Sequence, residues 1–190
     1  VKWKYIGIAL TMALMSLPVL WSRLDTFQKN RILNFMDPER DTNNTGYQAI
    51  QGRIAIGSGK IFGRGLFEGT QTQFNYIPEK QTDFIFAVLA EELGFIGGTL
   101  LILLYFIMIN RIIRIARNSP DKFGSFMSVG LAAMFLFHIW ENIGMTIGLM
   151  PITGIPLPFM SYGGTFQLIN LISIGIVLSV GLHREGLSFE

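Results

Sequence analysis

Cysteine is absent from the 190 residues, which excludes disulfides and cysteine-ligated metals. Charge is scarce as well. Asp, Glu, Lys and Arg make up 15% of the chain, where a soluble domain carries about 25%. The formal net charge is only +2, and no Lys/Arg block is dense enough to bind nucleic acid. The two histidines, His138 and His183, lie too far apart to make a zinc motif. The glycine-rich stretch GSGKIFGRG (57–65) has neither the spacing nor the context of a Walker motif or a dinucleotide fingerprint. No internal repeat is visible.

What fills the chain instead is apolar. Half the residues are hydrophobic, with 16 Phe and 9 Met, and the mean hydropathy is +0.44. Four long runs stand out, at 5–21, 84–109, 123–149 and 165–182. Each approaches the roughly 20 residues a transmembrane helix needs at about 1.5 Å per residue. The expected fold is therefore all-α: a polytopic membrane protein with four transmembrane helices and one large extracytoplasmic loop, 23–82. The first run follows Lys2 and Lys4 as a signal peptide would, but Pro18, Trp21 and Arg23 stand where a small-residue cleavage site would lie. It reads as a span, with Trp3 and Trp21 as interfacial anchors. The chain opens on Val1, and an N-terminal part is expected to precede it.

Orientation follows from the short connections. Residues 110–122 carry Arg111, Arg114, Arg117 and Lys122 and read as cytoplasmic. The two ends then share that side, while the long loop and the Pro/Gly-rich loop 150–164 lie outside. The long loop holds eight Lys/Arg, but long loops follow the charge rule poorly. Its start, RLDTFQKNRILNFMDPER, mixes Leu24, Phe27, Ile32, Phe35 and Met36 with charges. That pattern predicts an amphipathic helix on the membrane surface, ended by Asp37-Pro38. A turn is expected at Asn43–Gly46, and a second short surface helix over GYQAIQGRIAIG.

Several side chains could carry chemistry. Asp83 opens the second run, where a carboxylate can cap a helix or act as a general base or cation ligand facing a membrane cavity. Glu91 and Glu92 follow inside the run, where charge is costly unless it faces protein or water. As a straight helix the run is about 39 Å long. Asp83 and Glu91 would then stand about 80° apart around its axis, able to face one cavity. His138 and Glu141 share a helix face and read as a proton-bearing pair or as an internal polar clamp. The sequence MPITGIPLPFMSYGG is apolar yet full of helix breakers at Pro151, Pro156 and Pro158. Irregular backbone at membrane depth survives only inside protein or along a cavity, so this loop is either a plain hairpin or a re-entrant wall of a site.

Long stretches of this sequence resemble one family. NIGMTIGLMPITGIPLPFMSYGGT (142–165), YQAIQGRIAIGSGKIFGRG (47–65) and PEKQTDFIFAVLAEELGFIG (78–97) are similar, in order and spacing, to the C-terminal part of SEDS proteins (RodA, FtsW, SpoVE). GTQTQFNYIPEKQTDF and DPERD are more similar to RodA than to FtsW. Phe166 departs from the family pattern, in which a small residue follows the Gly-Gly-Ser/Thr.

The resemblance implies a peptidoglycan glycosyltransferase of the bacterial cytoplasmic membrane, active on its outer face, that polymerises lipid II into glycan strands for cell-wall biogenesis and rod shape. It implies about ten spans in the whole protein, of which this chain holds the last four and works poorly alone. It also implies a class B penicillin-binding protein and other elongation-complex membrane proteins as partners. The family's essential aspartate falls on Asp83, as base or as ligand of a divalent cation (Mg or Mn). Lys80, Arg64 and Lys60 are candidates to hold phosphate, with Glu91, Pro156 and Ser161 shaping the substrate site. The alternatives are a lipid II flippase, with Glu91, Glu92, His138 and Glu141 along its path, and a noncatalytic scaffold that activates the transpeptidase.

Overall fold

The computed structural model describes residues 3–41 and 45–183, less the side chains of 8–10, 13, 14, 17 and 19. The expected turn at Asn43–Asn44 and most of the C-terminal tail lie outside the described residues. Among the described residues seven α-helices follow one another: α1 (Trp3–Arg23), α2 (Thr26–Met36), α3 (Thr45–Gly59), α4 (Thr70–Gln73), α5 (Ile85–Arg117), α6 (Lys122–Ile147) and α7 (Gly164–Leu182), with a 3-10 turn at Pro38–Arg40. There is no strand among the described residues. Among them, α5, α6 and α7 are long and apolar enough to cross a membrane. The chain is an all-helical, multi-pass membrane protein. Helix α1 covers the first expected span, with Pro18 inside it and Trp3, Met12, Met15 and Leu20 exposed.

Helices α5, α6 and α7 close around Phe86, Tyr105, Ile112, Phe135, Ile139 and Val177, with Leu157 of the Pro/Gly loop inserted among them. A second cluster joins Ala49 and Ala55 of α3 to Ile77, Phe84, Ala87, Met145 and Ile152. The α5 helix runs eight residues beyond the expected end at 109, because Arg111, Arg114 and Arg117 are good helix formers that also complement the C-terminal dipole. The connection to α6 is thus 118–121, not 110–122. There Asp121 caps α6, accepting from Gly124 N at 2.9 Å.

The expected outer loop is largely helical. Helix α2 begins after the extended N-cap Asp25, whose N–H donates to Gln28 Oε1 at 3.2 Å, and ends at the C-cap Asp37. Its Phe27, Phe35 and Met36 are exposed. Helix α3 corrects one expectation: it does not simply lie on the surface. Gly46, Ala49, Gly52, Ala55 and Gly59 form a buried stripe that packs mainly on α5. A Cβ at Gly52 would stand 2.9 Å from the Phe84 ring.

The straight-helix expectation for α5 fails at Gly94, where the backbone turns to φ 67°. Only glycine takes this conformation without strain. Three helical bonds would cross the break, joining residues 95 to 91, 96 to 92 and 97 to 93. The four groups of the first two are re-paired with the glycine-rich segment that follows α3. Arg64 N and Gly65 N donate to Glu91 O and Glu92 O at 3.0 and 3.1 Å, and Phe95 N and Ile96 N donate to Lys60 O and Ile61 O at 2.8 and 3.2 Å. Gly63 and Gly94 pack so closely that neither has room for a Cβ. Gly59, Gly63 and Gly94 therefore let this segment insert into a broken membrane helix.

Candidate active site

Asp83 sits one residue before the N-cap Phe84 of α5. Its side chain does not cap the helix. Thr82, Asp83 and Phe84 N–H groups instead converge on Glu79 O at 3.4, 3.2 and 3.1 Å. The three carbonyls around Asp83 are each held from outside the segment. Tyr162 N donates to Gln81 O at 2.8 Å, Ser161 Oγ to Thr82 O at 2.6 Å, and Asn142 Nδ2 to Asp83 O at 2.8 Å. The backbone that carries Asp83 is thereby fixed to α6 and to the Pro/Gly loop.

Its carboxylate is left free. Asp83 is half-buried, and among the described residues no donor reaches its side-chain oxygens. Burial pushes the carboxyl above its ordinary 3.8, neighbouring Glu79 pushes it the same way, and Arg31 pulls it back. Gly154 of the loop lies against it. Its φ is 77°, and a Cβ there would stand 3.2 Å from Asp83 Oδ2.

The loop itself is irregular but well satisfied. Arg31 Nη1 of α2 donates to Thr153 O at 2.6 Å, and Asn142 Nδ2 donates to Ile155 O at 2.8 Å. His138 Nδ1 lies 3.3 Å from Pro156 O, Tyr105 Oη donates to Pro158 O at 2.6 Å, and Gln167 Nε2 donates to Ser161 O at 2.9 Å. Buried carbonyls at membrane depth need such partners. His138 and Glu141 act here as clamps: Glu141 accepts from Thr153 Oγ1 at 2.8 Å. Phe166, the departure from the family pattern, stacks on the His138 ring at 5.5 Å and 22°.

The other expected site residues are placed differently. Glu91 is fully buried. Its oxygens accept from Gln71 N at 2.9 Å, Thr72 N at 3.1 Å, Thr72 Oγ1 at 2.7 Å and Ser58 Oγ at 3.4 Å. It anchors the start of α4 and does not look into a cavity shared with Asp83, because Asp83 precedes the helix and the 80° relation does not apply. Lys80 Nζ is tied to Thr72 O at 2.7 Å and Asn75 Oδ1 at 2.6 Å. Arg64 Nη1 donates to Thr70 Oγ1 at 2.9 Å. Lys60 and Arg64 are exposed and border a shallow groove of about 430 Å³ with Ser58, Gly63 and Glu68. Ser161 borders an open groove of about 480 Å³ beside Gln81, Ile85 and Gln167, but its hydroxyl both donates to Thr82 O and accepts from Leu157 N at 2.7 Å. Pro156 contributes a carbonyl held by His138. Sequence reasoning missed Arg31, Asn142 and Gly154. A lone amide within an apolar run was the available signal for Asn142.

No group of three or more His, Asp or Glu that could hold a metal gathers among the described residues. No preformed divalent-cation cage surrounds Asp83 among the described residues.

Comparison with known proteins now settles the family. The family described as cell cycle protein, FtsW/RodA/SpoVE, matches residues 1–186. The chain belongs to this family. It is 43% identical over 188 residues to the peptidoglycan glycosyltransferase MrdB of Escherichia coli, covering 98% of this chain and 51% of that protein. It is 47% identical over 159 residues to the stage V sporulation protein E of Bacillus subtilis, covering 84% of this chain and 43% of that one. It is 41% identical over 161 residues to the peptidoglycan glycosyltransferase RodA of Treponema pallidum, covering 85% and 37%. Among solved structures, a chain from a peptidoglycan synthase complex that coordinates polymerisation and crosslinking superimposes with a TM-score of 0.74 at 30% identity. That match covers 97% of this chain and 50% of the other. The chain thus spans about half the length of the curated relatives it matches.

Proposed function

We propose that this chain supplies the catalytic carboxylate of a peptidoglycan glycosyltransferase that polymerises lipid II. The observation that carries the reading is Asp83: its backbone is clamped from two sides while its carboxylate is half-buried and unpaired. A structural carboxylate in such a setting is ordinarily hydrogen-bonded, as Glu91 is. A base must instead keep its oxygen for a substrate proton.

In the reaction the acceptor sugar hydroxyl oxygen attacks the anomeric carbon of the donor. A new C–O bond forms as the bond to the diphosphate breaks, and the electron pair leaves on the lipid diphosphate. The hydroxyl proton passes to Asp83. The raised proton affinity of Asp83 suits this step, since a stronger base accepts a proton more readily. The names of the relatives support this reading. So does the synthase complex among the solved structures, which favours a transpeptidase partner, a class B penicillin-binding protein. The site then faces the outer side of the bacterial cytoplasmic membrane, and RodA-like residues such as those at 69–84 favour a role in elongation. A divalent cation, if bound, would be held by Asp83 and would supply positive charge for the departing diphosphate.

The test is lipid II polymerisation by the complete protein with its penicillin-binding partner. Asp83→Asn is expected to fold normally and to make no glycan chains. Chains made at the wild-type rate by Asp83→Asn would refute the assignment.

A further inference from the structure

Departure of a lipid diphosphate calls for positive charge beside the reacting centre. Lys80 and Arg64, the basic residues that position in the sequence favours, have their donors on α4. Lys60 is exposed and borders the groove it shares with Arg64. A different cation is tied to the loop beside Asp83. Arg31 reaches from α2 to Thr153 O at 2.6 Å, one residue from Gly154, where an added Cβ would stand 3.2 Å from Asp83 Oδ2. Its guanidinium also lies over the Phe27 ring, 4.5 Å from the centroid. These two contacts hold it in place. No ion pair within 4.0 Å joins Arg31 to Asp83 or to any carboxylate among the described residues. Its Nε is buried without a partner, so the protein alone leaves the guanidinium under-satisfied.

Arg31 and Asp83 are both half-buried and meet the same loop at adjacent residues, yet they form no ion pair although opposite charges attract. Kept apart, they present a positive and a negative group to one ligand. Glycosyl transfer offers a ligand of that kind, with a diphosphate for the cation and a hydroxyl for the base. The cleft that Arg31 shares with Asn34, Thr45, Arg53 and Pro151 has only about 10 Å³ free, room for one water, so it is too small to be where a diphosphate meets the guanidinium. Arg53, on α3, adds positive field there without an ion pair among the described residues.

We propose that Arg31 binds the diphosphate of the lipid-linked donor beside Asp83, with the Thr153 carbonyl and the Phe27 ring keeping the two charges apart. The assignment rests on the glycosyl-transfer reading above. Its electrostatics are consistent with the pull of Arg31 on the Asp83 carboxyl.

The experiment measures binding to the complete protein in nanodiscs, using a polyprenyl diphosphate, the matching polyprenol and phosphatidylglycerol as probes. Wild type is expected to prefer the diphosphate to the alcohol. Arg31→Gln should weaken diphosphate binding at least tenfold and leave polyprenol binding unchanged, while Arg31→Lys should keep part of the preference. In unaltered protein, the diphosphate but not the polyprenol should protect Arg31 from phenylglyoxal, read peptide by peptide, a result that does not depend on any variant folding. Equal weakening of both probes by Arg31→Gln would mark a structural role and overturn the proposal, as would protection of Arg31 by neither probe. Phosphatidylglycerol competing as well as the diphosphate would mark a general phospholipid contact and overturn it too. Asp83→Asn separates the two readings. Loss of polymerisation with diphosphate binding intact supports both. Normal polymerisation by Asp83→Asn removes the base assignment while the Arg31 binding result stands by itself.

Discussion

Asn142 gives the sharpest test of how the site is held. Its Nδ2 donates both its hydrogens, to Asp83 O and to Ile155 O, each at 2.8 Å, and the residue is fully buried. Asn142→Leu keeps the approximate volume and removes both donors. Each carbonyl then loses its partner, at about 1–3 kcal/mol apiece, offset in part by removal of the buried Asn142 Oδ1, which has none, so about 2–6 kcal/mol is the upper range of the stability at stake. Asp83 would also lose one of the contacts that fix its backbone. Displacement of a catalytic group by about 1 Å can cost about a hundredfold in rate. Thermal unfolding in detergent gives the first quantity, and lipid II polymerisation per folded molecule the second. Ser161→Ala frees the neighbouring carbonyl, Thr82 O, and the double variant should show coupling of about 0.5–3 kcal/mol because both residues grip one short segment. A stability loss under about 0.5 kcal/mol, or strict additivity with Ser161→Ala together with unchanged turnover, would refute the idea of a clamp.

Three further outcomes follow from the same geometry. Glu91→Gln cannot accept from both the Gln71 and Thr72 N–H groups, so it should cost about 1–3 kcal/mol; turnover per folded molecule should survive, and a selective loss of turnover would return Glu91 to the active site. Gly154→Ala puts a Cβ 3.2 Å from Asp83 Oδ2 at a φ of 77°, a conformation that costs a non-glycine residue about 1–2 kcal/mol; polymerisation should fall about tenfold or more while the protein still folds. If Asp83 is the base it must be ionised, so with its carboxyl raised above 3.8 activity should be lost as pH falls through its folded value, and the ascending limb of the pH–rate profile should lie above 3.8. Glu79→Gln removes a neighbour that raises it and should move that limb to lower pH, whereas Arg31→Gln should move it to higher pH; limbs that stay put in both variants would mean another group titrates.

Much of this was legible in the sequence, for reasons that differ by element. The runs at 84–109, 123–149 and 165–182 became α5, α6 and α7 because continuous apolarity over about 20 residues has few other outcomes. The Thr26–Met36 helix and its end at Asp37-Pro38 were legible because cap and breaker are local signals. Gly94 was not legible as a break. A glycine inside an apolar helix usually continues it at modest cost, and the segment that re-pairs Glu91, Glu92, Phe95 and Ile96 is about thirty residues upstream, beyond any local pattern. The same blindness explains the assignments of Lys80, Arg64 and Glu91. Charge near Asp83 in sequence is not charge near Asp83 in space: α4 draws all three side chains to itself and Arg31 arrives from 52 positions away.

The Pro/Gly loop shows why a site belongs at this point of the fold. Its breakers strip the backbone of helical bonds, and each carbonyl so released must find a donor inside the protein. The donors come from α2, α5, α6 and α7 through Arg31, Tyr105, His138, Asn142 and Gln167. A segment fixed from four helices has little freedom to move, and Ser161 and Tyr162 pass that rigidity to residues 81 and 82. The irregular loop thus acts as a rigid wall. The Asp83 carboxylate, left without a partner against that wall, keeps its position while its oxygen stays available for a proton.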